Sequence, residues 1–96
     1  MKKVIYLGDK RDRFEWLDIV ELKEEAKKYN ISIENDTNIG NNVDIGNNTI
    51  IGRNTRIGIY VNIGNDSNIG INTNIGNAVI IGSNSNIRKN SNIGEK

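Results

Sequence analysis

The sequence predicts an all-β coil of short strands, entered through a small amino-terminal cap. Three observations predict it. Isoleucine returns every sixth residue without a gap, at 33, 39, 45, 51, 57, 63, 69, 75, 81, 87 and 93. Glycine follows it at 40, 46, 52, 58, 64, 70, 76, 82 and 94, and only Glu34 and Arg88 break that rule. Three residues after the isoleucines, from 36 to 90, Asn or Asp fills eight of ten positions, with Tyr60 and Ala78 the exceptions. A period of six matches neither the 3.6 of a helix nor the 2 of a plain strand. Sustained over this length, it outweighs local propensity.

The elements follow in order. Residues 2–7, KKVIYL, read as a strand rich in β-branched and aromatic types. Gly8 to Arg11 is turn-like. Asp12 to Leu17 alternates, with Phe14 and Trp16 on one face and Arg13 and Glu15 on the other, so a β-hairpin is expected. Phe14 and Trp16 are assigned to packing of this cap rather than to a ligand platform. A helix then starts at Asp18, where Asp18 and Glu21 have capping-box spacing and Leu17 and Leu22 the spacing of a hydrophobic staple. A start at Asp12 with Glu15 as partner is the competing reading, and it lacks the staple. Ile19, Leu22, Ala26 and Tyr29 form the apolar stripe. Glu24 and Lys28 have i,i+4 spacing, and Asn30 fits the helix end. The cap spans 1–30 and the coil 31–96.

One unit of the coil, Thr49 to Asn54, shows the local logic. Thr49 and Ile51 are two apart and share a face of an extended segment, while Ile50 between them points out. Three residues remain to turn the chain. Asn and Asp best tolerate the left-handed region among non-glycine types, and glycine lets the backbone pass close at the corner.

The pattern Ile-Gly-x-Asn-(Thr/Val/Ser)-x over residues 31–96 resembles the bacterial transferase hexapeptide-repeat family. The resemblance implies a left-handed parallel β-helix, a triangular prism with three hexapeptides per coil, and about three and a half coils here. The left hand comes from the resemblance, since the general crossover rule favours right-handed connections. Residues 18 apart would then stack, giving the inward columns Ile33-Ile51-Ile69-Ile87, Ile39-Ile57-Ile75-Ile93 and Ile45-Ile63-Ile81. Turn residues such as Asp36-Asn54-Asn72-Asn90 could stack as side-chain amide ladders. The helix is expected to cover the first coil. Arg88, Lys89, Glu95 and Lys96 put charge at the far end, where it would discourage end-to-end stacking.

The candidate functional residues are those where the repeat departs from itself. Ile59 and Tyr60 share a corner, Ala78 stacks on Tyr60, and Ile80 lies just beyond. Family members are usually homotrimers with prisms side by side, so Ile59, Tyr60, Ala78 and Ile80 are the expected interface, with Arg56 and Arg53 at a polar rim. The alternative is isoleucine scattered singly over the surface, as any soluble protein has. Ile50 and Ile71 also point outward, on other parts of the surface.

Composition excludes several function classes. Thirteen basic and twelve acidic residues leave a formal charge of +1, which does not call for nucleic acid or an acidic membrane. No run approaches a membrane span or a signal-peptide core, and a cytoplasmic location is the default. The chain has no cysteine, hence no disulfide or thiol chemistry, and no histidine. Acyl transfer in the resembled family uses a histidine base, and its zinc carbonic anhydrases need three histidine ligands. Asp44, Asp66 and Glu34, the acids of the coils considered as stand-ins, read as solvated or turn-forming. No catalytic residue, metal or cofactor is therefore expected. The inward threonines also speak against the outward threonine rows of ice binding.

The expectation is a non-catalytic homotrimeric module that binds a protein or small molecule or serves as an assembly scaffold. Its richness in Ile, Asn and Lys suits an AT-rich genome such as a phage's. The alternatives are an acyltransferase-like enzyme with an acyl-CoA donor bound between subunits, and a metabolite- or sugar-binding protein using the same groove.

Overall fold

The computed structural model describes residues 2–94. The cap is a hairpin of β1 (Lys3–Leu7) and β2 (Asp12–Trp16) followed by α1 (Ile19–Ala26) and a short 3-10 turn (Lys27–Tyr29). The coil begins with β3 (Ser32–Ile33), β4 (Asn38–Ile39) and β5 (Val43–Ile45), then β6 (Ile50–Ile51), β7 (Arg56–Ile57) and β8 (Asn62–Ile63). β9 (Asn68–Ile69), β10 (Asn74–Ile75), β11 (Ile80–Ile81), β12 (Asn86–Ile87) and β13 (Asn92–Ile93) complete it. Parallel pairing joins each strand to the one three later, as in Ile45↔Ile63 and Ile63↔Ile81, so residues 18 apart do stack. The result is a parallel β-helix with three faces, ordered β11-β8-β5-β1-β2, β13-β10-β7-β4 and β12-β9-β6-β3.

The isoleucines of the lower coils are almost wholly buried, and each such burial is worth roughly 1.5–3 kcal/mol. All ten turn positions, Tyr60 and Ala78 included, adopt φ between 58° and 62°. Glycine serves the close approach of successive coils: a Cβ on Gly52 would stand 2.7 Å from the Gly70 carbonyl carbon. Arg88 replaces glycine in the last coil, where among the described residues no further coil lies against it.

The inward threonines and serines do more than fill space. Thr49 Oγ1 donates to the Gly64 carbonyl at 3.2 Å, Thr55 to Gly70 at 3.0 Å, and Ser67 Oγ to Gly82 at 3.1 Å. Each stitches one coil to the corner carbonyl of the next. In the last coil Ser85 and Ser91 turn back to the carbonyls of Gly82 and Arg88 instead.

The cap differs from expectation in three details. β1 joins the helix as a parallel strand on β5, with Ile5↔Val43 and Leu7↔Ile45. Ile5 and Leu7, both fully buried, extend the inward columns by one coil. The first coil is thus closed by α1 and the hairpin together. Asp18 caps α1 by accepting from Val20 N, and Glu21 accepts from Leu17 N, but Leu17 stays 64% exposed, so the staple with buried Leu22 does not form as expected. The helix ion pairs are Glu24–Lys27 and Glu25–Lys28, spaced i,i+3, in place of Glu24–Lys28.

The asparagine ladders also differ. Asn30, in the left-handed region at the end of the 3-10 turn, donates to Asn48 Oδ1 at 2.7 Å. Asn65 and Asn77 instead turn their amide oxygens to backbone one coil below, Asn65 Oδ1 accepting from Asn47 N and Asn77 Oδ1 from Ile59 N. Of the terminal charges, Glu95 and Lys96 lie outside the described residues. No helix among the described residues is long and apolar enough to cross a membrane.

Candidate functional site

The predicted edge residues come together. The corner between β7 and β8 carries Ile59 and Tyr60, and the corner one coil later, between β10 and β11, carries Ala78. Backbone bonds hold the two corners in register: Ala78 N donates to Ile59 O at 2.9 Å, and Ile59 N to Asn77 Oδ1 at 3.0 Å. Ile80 opens β11 on one side of this edge, and Arg56 opens β7 on the other. All five side chains are exposed, Tyr60 by 61% and Ile80 by 79%. Arg53 lies on a different corner, between β6 and β7, away from this edge.

Tyr60 is the costliest residue of the group. A bulky side chain at φ 58° occupies backbone space that the repeat gives to Asn or Asp at every other turn but that of Ala78. Its backbone N–H still bonds to Asn41 O at 3.1 Å, so the coil keeps its geometry and the strain stays local.

A second site emerges beside this edge, on the face that contains β1. Register lines up Tyr6, Asp44, Asn62 and Ile80 as one outward row. Asp44, expected to be an isolated solvated acid, is instead 8% exposed and ion-paired to Arg11. The reason is the hairpin turn. Gly8 at φ 83° and Arg11 at φ 55° fold residues 8–11 back over the face, and Gly8 N and Asp9 are anchored there by Ile45 O and Asn65 Nδ2. The Arg11 guanidinium also sits 5.2 Å from the Tyr6 ring, within cation–π range.

Two open clefts of about 300 Å³ flank this ion pair. Both are lined by Arg11, Asp44 and Asn62; one adds Asn65 and Ser83, the other Tyr6, Asn42 and Tyr60. Nothing in the sequence marks Arg11 as Asp44's partner, because the two are far apart in the chain and only strand addition by β1 joins them. The one visible signal is Asp44 itself, an acid in an outward row whose next members are Asn62 and Ile80.

A larger cleft, about 570 Å³, lies between α1 and β3, lined by Val20, Lys23, Lys27 and Ile33 among others. Its lysines are already engaged, Lys23 with Asn35 Oδ1 and Lys27 with Glu24. It holds no aromatic residue, so size alone favours it. No cluster of three or more His, Cys, Asp or Glu is placed to hold a metal among the described residues.

Phe14 and Trp16 pack with the core, Trp16 at 4% exposure with Lys3 Nζ 5.1 Å above its ring. Tyr29 closes the cap by donating its hydroxyl to Asp12 Oδ2 at 2.8 Å. That hydrogen bond, first, and then burial and the nearby carboxylates raise the Tyr29 pKa above the usual tyrosine value.

Comparison of the chain with protein-family models, with curated proteins and with solved structures finds no match.

Proposed function

We propose that the chain is a non-catalytic β-helix module that assembles with copies of itself into a homotrimer and acts by binding through its outer surface. The observation that carries this reading is the edge of Ile59, Tyr60, Ala78 and Ile80. Single exposed apolar residues need no explanation. Here four lie on one edge, and two of them, Tyr60 and Ala78, sit in a left-handed backbone conformation that penalises them, the bulky Tyr60 most. An aromatic kept at such a position points to a role outside the coil. The hexapeptide pattern supports a side-by-side trimer, because in the resembled family prisms meet along an edge.

The absence of histidine and cysteine from the sequence supports a non-catalytic role. Acyl transfer needs a base that titrates near neutrality, and Asp44, the most buried acid of the coils, is committed to Arg11. A cytoplasmic location belongs to the same reading, and fractionation of the source cells tests it.

Light scattering tests the assembly. A mass about three times the 10.7 kDa of the chain is expected, with a smaller particle for Tyr60→Asp. A wild-type protein that elutes as a monodisperse monomer refutes it. Incubation with acetyl-CoA and a panel of amine and sugar acceptors is expected to give no turnover above background, and clear turnover refutes the non-catalytic role.

A further inference from the structure

We propose that the two clefts flanking the Arg11–Asp44 pair form one saccharide-binding groove. Its chemistry is that of a neutral polyhydroxylated ligand. The central ion pair balances its own charge, and the further charge in the lining, Asp9, is held by a hydrogen bond from Asn65 Nδ2. Around it stand amide and hydroxyl side chains that both donate and accept, Asn42, Asn62 and Ser83. Tyr60 and Tyr6 wall one end, and with Arg11 over the Tyr6 ring it is the exposed Tyr60 ring on which the apolar face of a pyranose can rest.

Asp44 supplies the independent sign of a ligand. Its side chain is only 12% exposed, it lines both clefts, and Arg11 occupies only Oδ2. No described side chain donates to Oδ1, and this atom is not sealed from solvent, since Trp16 Nε1 is the fully buried side-chain atom without a partner among the described residues. A rigid carboxylate oxygen open to a cleft is an acceptor for a sugar hydroxyl, in a charge-assisted hydrogen bond. Each cleft has room for one ring, so a disaccharide spans Arg11.

The groove is built from one chain but shares Tyr60 with the proposed trimer edge, so the test uses residues that belong to only one of the two. Unlabelled maltose, cellobiose, lactose and N,N′-diacetylchitobiose are titrated to millimolar concentration into the ¹⁵N-labelled protein, with retention on starch, cellulose and chitin as the arm for polymeric sources. At least one disaccharide is expected to shift the amides of Tyr6, Asn42, Asp44 and Asn62. Ile80→Asp, which breaks the edge without lining the clefts, is expected to bind as well as wild type. Asp44→Asn, checked for an unchanged fold by its spectrum, is expected to weaken binding tenfold or more. Should that variant unfold, Asn62→Ala is the second test and is expected to weaken binding as well. No shift with any of the sugars overturns the proposal, and so do shifts that persist unchanged in a folded Asp44→Asn protein.

Discussion

At the scale of single residues, the turn positions separate scaffold from function. Asn and Asp relieve the left-handed turn, and Tyr60 does not. In an Ile80→Asp background, where the proposed assembly is already broken, Tyr60→Asn is expected to raise stability by about 1 kcal/mol. Denaturant unfolding measures this, and a loss of stability would show that Tyr60 serves the coil itself. The inward hydroxyls make a second prediction. Thr49→Val keeps the shape but removes the donor to the Gly64 carbonyl, and is expected to cost about 1 kcal/mol. Ser91→Ala, in the last described coil and with only a local bond, is expected to cost less.

Tyr29 supplies the pH dependence. Its folded pKa lies above its unfolded value, so its hydrogen bond to Asp12 contributes fully below the unfolded value near 10. The contribution is lost as pH rises through the folded value. Above pH 10 the melting temperature of the wild type should therefore fall more steeply than that of Tyr29→Phe. Parallel curves for the two proteins would show that the bond carries no stability.

At the scale of elements, the coil was legible because every unit obeys one rule. The period places the strands, the inward columns and the left-handed turns, since each corner repeats the same backbone need. Gly52→Ala tests the corner: its Cβ would meet the Gly70 carbonyl carbon at 2.7 Å, with backbone on the far side that cannot yield, and a cost of about 3 kcal/mol is expected. An equivalent change at Gly82, where a Cβ meets nothing within 4 Å, is expected to cost little. The hairpin and helix were also legible, from alternation and from the Asp18 cap. What the sequence hid was the partnership between elements. β1 carries no repeat signature, yet Ile5 and Leu7 take the inward places of a missing strand on β5. The Arg11–Asp44 pair follows from that docking and was hidden with it, because local pattern says nothing of which distant strand a hairpin will join.

At the scale of the whole molecule, the first and last coils of the described residues differ in burial. Leu22 and Ala26 of α1, with Ile5 and Leu7 of β1, seal the first coil, whereas Ile87 and Ile93 in the last coil are only partly buried. Between the ends, three faces of mostly polar outward residues meet at corners, and one corner is apolar. Assembly along that corner would bury Ile80, which a single chain leaves 79% exposed. The absence of native cysteine allows a direct measurement of this burial. A single cysteine placed at Ile80, reacted with a maleimide under non-denaturing conditions, should label slowly in the otherwise wild-type protein. It should label quickly once Tyr60→Asn is added, with a cysteine at the exposed outward Asn68 setting the unhindered rate. A residue-80 cysteine that reacts as fast as the one at Asn68 in the otherwise wild-type protein would contradict assembly through this edge.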